Sequence, residues 1–98
     1  MRRAIVRYRV KPECVAENEE LVRAVYAELA DVQPEGLRYA TVKLEDGVSF
    51  VHMAVHEGDN PLPGLASFRT FSQGVRERCD KPPVVSEATL VGSYRLLE

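Results

Sequence analysis

Apolar and polar positions alternate along Arg3-Ala-Ile-Val-Arg-Tyr-Arg-Val10: Ala4, Val6, Tyr8 and Val10 fall on one side, Arg3, Arg7 and Arg9 with Ile5 on the other. A period of two predicts a strand with two unlike faces. Lys11-Pro-Glu13 breaks the run. From Asn18 to Val32 the period lengthens, with Val22, Val25, Leu29 and Val32 recurring at spacings of three and four, as on an amphipathic helix. Glu17, Glu19 and Glu20 sit near its start, where carboxylates favour the positive end of the helix dipole, and Pro34 and Gly36 end it. Leu37 to Leu44 and Val48 to His56 read as strands joined by the turn Glu45-Asp-Gly47, a hairpin. Glu57 to Gly64 is the one long irregular segment, rich in Gly and Pro. Leu65, Phe68, Ser72, Val75 and Cys79 then mark the stripe of a second helix with Phe71 beside it, and Asp80-Lys-Pro-Pro83 stops it. A last strand is expected from Ala88 to Leu96, with Leu90, Tyr94 and Leu96 on one face.

The order β-α-β-β-α-β fills residues 1–98 as one α+β domain. It predicts a ferredoxin-like arrangement, a four-stranded antiparallel sheet with two helices on one face. The expected covered face carries Ala4, Val6, Tyr8, Val10, Val51, Met53, Val55, Leu90, Tyr94 and Leu96. The open face then carries Arg3, Ile5, Arg7, Arg9, Val48, Phe50, His52, Ala54, His56, Val91 and Ser93, too apolar to be left to water. The simplest cover is a second copy of the chain, so a homodimer is expected.

Composition narrows the partners more than the chemistry. With 45% hydrophobic and 29% charged residues the chain is an ordinary globular one, and its net charge of -2 offers no general attraction to nucleic acid or to an anionic membrane. Its apolar runs fall far short of the roughly 20 residues that span a bilayer, and Met-Arg-Arg leads into a strand rather than a secretory signal, so a cytoplasmic protein is expected. Cys14 and Cys79 lie far apart without a Cys-x-x-Cys, which predicts free thiols and no metal.

Several short runs carry a family likeness. Val10-Lys-Pro12, Pro34-Glu-Gly-Leu-Arg-Tyr39, Gly47-Val-Ser-Phe-Val-His52, Asn60-Pro-Leu62 and Phe68-Arg-Thr-Phe71 resemble the antibiotic biosynthesis monooxygenase family over essentially the whole chain. The resemblance implies a dimeric α+β barrel in which two ferredoxin-like protomers bring their sheets face to face. It also implies a pocket between helices and sheet, and an activity that in some relatives is cofactor-free oxygenation of polycyclic phenols and in others haem degradation. Those branches commonly use a Trp, an Asn and a His or Arg. This chain has no Trp, and its Asn residues are Asn18 and Asn60.

His52 is the leading candidate for chemistry, since an imidazole serves as a base near neutral pH. In the enzyme reading it removes a proton from a phenol without any cofactor, and Arg7, Tyr8 or Tyr94 holds the developing anion. The plainer reading makes His52 a hydrogen-bonded residue of the dimer-facing sheet. His56 lies four residues further on, roughly 13 Å along a strand, too far to share a metal ion. Arg3, Arg7 and Arg9 suit either an anionic ligand or ion pairs across a dimer, and RNA is disfavoured because Phe50 is the one aromatic on the open face. Tyr8, Tyr26 and Tyr94 with Met53, Phe68 and Phe71 suit a pocket for a flat aromatic ligand under the 57–64 loop, or an ordinary core. A non-catalytic homodimer that binds a small molecule is the alternative function.

Overall fold

The computed structural model describes residues 1–96. Strand β1 (Arg2–Val10) leads through a 3-10 turn (Pro12–Cys14) into helix α1 (Val15–Val32). The β2 (Leu37–Lys43) and β3 (Ser49–His56) hairpin follows, then a second 3-10 turn (Leu62–Gly64), α2 (Ala66–Arg78) and β4 (Cys79–Glu87). The strands form one antiparallel sheet in the order β2-β3-β1-β4. Both helices lie on one face, and Tyr8, Val10, Phe50, Ala54, Val22, Val25, Phe71 and Val75 make the core between. This is the expected ferredoxin-like arrangement.

Local chemistry explains the joints. At the hairpin, one Asp46 carboxylate oxygen accepts hydrogen bonds from the Val48 and Ser49 amides at 3.0 and 2.8 Å, the other from the Ser49 hydroxyl at 2.6 Å. Gly47 supplies the positive φ that the turn requires. These bonds hold the Asp46 carboxyl below the usual carboxylate range. The two helices are joined at a helix end. Glu28 of α1 accepts from the Ser67 amide at 2.9 Å and from its hydroxyl at 2.5 Å, so one helix caps the exposed amides at the start of the other.

Two expectations fail, and each has a physical reason. The last strand is Cys79–Glu87, not Ala88 to Leu96, and residues 88–96 form no regular element. Pro82 and Pro83 do not end the sheet because β4 is an outer strand. Its pairing with β1 runs Arg7 to Val84 and Arg9 to Lys81, and the extra residue forms a bulge where proline donors are not needed. Leu90, Tyr94 and Leu96 therefore lie on no covered face, and Tyr94 is 75% exposed.

The second failure concerns the faces of β3. Tyr8 stands opposite Phe50, Val6 opposite His52 and Ala4 opposite Ala54. Directly opposed residues share a face, so Phe50, His52 and Ala54 lie under the helices, while Val51, Met53 and Val55 share the open face with Arg3, Ile5 and Arg7. β3 is an inner strand with apolar residues on both sides, so alternation alone does not say which side is in.

Candidate functional site

His52 is 4% exposed and lies at the centre of the helix-covered layer. Its ring sits among Tyr8, Tyr39 and Phe71, with centroids 5.3, 5.7 and 5.5 Å away. Both ring nitrogens are engaged: Nε2 lies 2.7 Å from the Tyr8 hydroxyl, and Nδ1 lies 2.6 Å from the Tyr39 hydroxyl and 3.1 Å from that of Thr41. The network continues at both ends. Asn18 Nδ2 donates to the Tyr8 oxygen at 3.0 Å, Arg78 Nε donates to Asn18 Oδ1 at 3.2 Å, and the Tyr26 and Thr41 hydroxyls lie 2.8 Å apart.

The direction of donation along this chain of bonds is set by its one permanent donor. A guanidinium only donates, so Asn18 turns its carbonyl oxygen to Arg78 and its amide hydrogens to Tyr8. The Tyr8 oxygen is then an acceptor for Asn18, and its own hydrogen is left for His52 Nε2. A neutral imidazole that accepts at Nε2 carries its hydrogen on Nδ1, where it donates to Tyr39 or Thr41. The hydrogen of the Tyr39 hydroxyl, and one of the two hydrogens of the Tyr26–Thr41 pair, then lack a partner within the chain of bonds, and Tyr39 is half-buried beside a surface cleft that Tyr26 also lines.

Burial sets the charge state. It lowers the His52 pKa from 6.5 to about 4, because a charged ring would lose its hydration. Burial likewise pushes the Tyr8, Tyr39 and Tyr26 hydroxyls above the usual phenol range, opposed at Tyr8 by the Asn18 hydrogen bond and at Tyr26 by that of Thr41. Near neutral pH the site is thus an uncharged imidazole among uncharged phenols. Its cation is Arg78, which is buried, lies 5.3 Å over the Phe71 ring and donates to the Phe71 carbonyl at 2.9 Å.

The structure gathers some of the expected site residues and scatters others. Tyr8, Tyr26, Phe71 and His52 share the layer under the helices, and Phe68 packs on Phe71 at 6.1 Å. Arg7 points to the open face opposite Val51, and Met53 pairs with Ile5 on that same face, so neither reaches His52. Tyr94 lies in the exposed segment after β4, its ring under Arg95. The 57–64 segment is tied down by Leu62 in the core and by the bond of the Leu62 amide to Asn60, and it lines neither the cleft on the open sheet face nor the cleft between α1 and β2. His56 is buried and meets the Gly58 carbonyl at 2.9 Å.

Asn18, Tyr39, Thr41 and Arg78 were not among the candidates. A signal for them exists in the spacing. Asn18 lies four residues before Val22 on the apolar stripe, Arg78 lies seven after Phe71, and Leu37, Tyr39 and Thr41 alternate on one face of β2.

One of the clefts, of about 500 Å³, runs over the open sheet face between Ile5, Arg7, Val51, Lys81 and Val84. The other, of about 330 Å³, lies between the end of α1 and β2, and both Tyr26 and Tyr39 line it. Among the described residues no cluster of three metal-binding side chains occurs, and no helix is long and apolar enough to cross a membrane.

No protein-family model and no curated protein matches the chain significantly. Solved structures do. Rv0793 from Mycobacterium tuberculosis superposes with a TM-score of 0.75 at 18% identity, over 94% of this chain and 96% of that one. A candidate antibiotic biosynthesis monooxygenase from Nitrosomonas europaea gives 0.76 at 16% identity, over 94% and 100%. The chain has the fold of the antibiotic biosynthesis monooxygenases. A variant of SnoaB, a cofactor-independent oxygenase from Streptomyces nogalater, shares that monooxygenase fold with a TM-score of 0.68 at 20% identity, over 99% of this chain and 97% of its own.

Proposed function

We propose that this chain is a cofactor-independent oxygenase for small phenols, and that His52 holds the ionised oxygen of the substrate through its Nδ1 hydrogen. The observation that carries this reading is a neutral, buried imidazole whose Nδ1 faces hydroxyl oxygens alone. A base role for His52 fits less well. A phenol ionises near 10 and His52 near 4, so direct proton transfer would run uphill by on the order of 8 kcal/mol. A donor role asks for no such transfer. It favours phenols already acidified by a ring carbonyl or nitro group, whose proton leaves to solvent in the cleft.

The chemistry closes without another reagent. The phenolate passes one electron to O₂, and the phenoxyl radical and superoxide join through a new C–O bond at a ring carbon bearing hydrogen. The peroxide then loses water: its O–O bond breaks as the ring proton leaves, and a quinone remains. One phenol and one O₂ give one quinone and one water. Oxygen uptake on a panel of acidic phenols, with chelator present and no flavin added, tests the reading. Uptake is expected to rise with pH along the ionisation of the substrate and to show no limb near 6.5. His52→Leu is expected to abolish it, while His52→Gln, which keeps an N–H donor, retains a fraction. No uptake across the panel would leave the second reading, a small-molecule-binding protein, which the ring packing around His52 favours.

We propose further that two chains pair through their open sheet faces. Ile5, Val51 and Met53 lie half-buried there, and Val84 is 63% exposed. Such a patch is usual for a contact surface and unusual for one left to water.

A further inference from the structure

The oxygen closest to His52 Nδ1 belongs to the protein itself. The Tyr39 hydroxyl stands 2.6 Å from that nitrogen, where the proposed reaction needs the substrate's phenolic oxygen. Tyr39 is a phenol, and it lines the cleft between α1 and β2 from the inside. We propose that this cleft is the substrate site, and that Tyr39 is a plug which a small phenol displaces from His52. The proposal rests on the oxygenase reading for the chemistry after binding, but not for binding itself.

Four features support it. The cleft measures about 330 Å³ and opens to solvent; Leu29, Leu37 and the Tyr26 ring, on which Tyr39 stacks at 5.3 Å and 17°, give it an apolar side, and Gln33 gives it a polar one. That size lies at the lower end of small-molecule sites. It therefore suits one- or two-ring phenols rather than larger polycycles. Tyr39 stands on β2, an outer strand with a single neighbour, and it is half-buried, so its side chain can turn toward solvent without opening the core. Thr41, 3.1 Å from Nδ1, keeps the imidazole hydrogen satisfied while one phenol replaces the other. The other sides of His52 are closed by Tyr8 and Phe71, which leaves the Tyr39 side as the way in.

Bound phenol and plug compete for one hydrogen-bond donor. Removing the plug should then raise the apparent affinity by the fraction of time it blocks the site. The probe is 4-nitrophenol, whose absorbance separates its ionised from its neutral form, with 4-nitroanisole as the control that has no hydroxyl. Tyr39→Ala is expected to bind 4-nitrophenol about tenfold tighter than the wild type, a block of about 90%. Bound probe should be ionised and should shift the His52 Nδ1 resonance, and 4-nitroanisole should do neither. Leu29→Trp fills the cleft, leaves every partner of His52 in place and is expected to abolish binding.

Equal affinity in the wild type, Tyr39→Ala and Leu29→Trp overturns the plug. So does binding that leaves the Nδ1 resonance unmoved. If Tyr39→Ala does not fold, the wild type and Leu29→Trp decide alone, since unchanged binding in Leu29→Trp is incompatible with this site. Binding as expected with no oxygen uptake on any phenol overturns the oxygenase reading and keeps the plug; oxygen uptake indifferent to Leu29→Trp does the reverse.

Discussion

A histidine held neutral in the core makes stability depend on acid. His52 has a pKa of about 4 when folded and 6.5 when free, so the unfolded chain gains a proton that the folded one refuses. The depressed value means that this contribution is fully present above 6.5 and is lost as pH falls from 6.5 toward 4. At about 1.4 kcal/mol per unit, the loss is on the order of 3 kcal/mol. Urea midpoints are expected to fall through that window in the wild type and to stay flatter in His52→Gln, and a similar slope in both would assign the effect elsewhere. Asn18 carries a second liability, because it alone joins Arg78 to Tyr8. Asn18→Leu takes one partner each from the buried Arg78, which keeps its bond to the Phe71 carbonyl, and from the Tyr8 hydroxyl, which keeps His52, and a loss of about 1–3 kcal/mol is expected. Arg78→Met should relieve part of that loss in the double variant, and a double-mutant cycle in urea measures the coupling. Strict additivity would mean that the two side chains do not work as a unit.

At the scale of elements, what could be read from the chain depended on how many faces each element hides. β1 has arginines on one side and apolar residues on the other, so its faces were legible. The stripe of α1 was legible from Val22, whereas the stripe read from Leu65 to Cys79 for α2 was in part misplaced: Ser72 is exposed, Phe71, Val75 and Arg78 are buried, and Cys79 already belongs to β4. β3 was legible as a strand but not as a pair of faces, because Phe50, His52 and Ala54 are no more apolar than Val51, Met53 and Val55. That single ambiguity moved His52 from the open face to the core and hid its partners on β2. β4 was missed because two prolines read as a stop, although an outer strand with a bulge tolerates them. The alternation at 88–96 was real, but after the bond of the Ala88 amide to the Arg3 carbonyl at 2.8 Å the segment forms no regular strand. The helix joint is a contact between distant residues that no local pattern announces. Glu28 caps α2 through Ser67, which holds the Glu28 carboxyl below the usual range. Glu28→Gln removes the charge from that helix end. Amides in the first turn of α2 are then expected to exchange faster, while those of β1 and β3 do not. Uniform acceleration would mean global destabilisation instead.

Among the described residues two apolar surfaces stand out at the scale of the whole molecule, and both argue for a second copy. The open sheet face exposes Val84 beside half-buried Ile5 and Val51, with Arg7 and Lys81 near Asp46 around the same cleft. Both charge signs at one patch suit a self-complementary twofold contact, in which each side meets its own opposite. The segment after β4 exposes Val91 completely, Tyr94 and Leu96 in large part and Leu90 less, yet its sequence alternates as a strand does. Such a segment can gain a ladder and a covered face by adding to another chain's sheet edge. Sedimentation equilibrium is expected to give a dimer for the wild type. Val84→Asp places an unpaired charge in the sheet contact and should shift the protein to monomer. Truncation after Glu87 should weaken the dimer less, since the sheet face remains. A monomeric wild type, or a Val84→Asp variant as dimeric as its parent, would remove the open face as the interface. His52 and its phenols lie on the other side of the sheet, so a monomeric Val84→Asp protein should keep an unshifted His52 resonance, and the site can be read independently of the assembly.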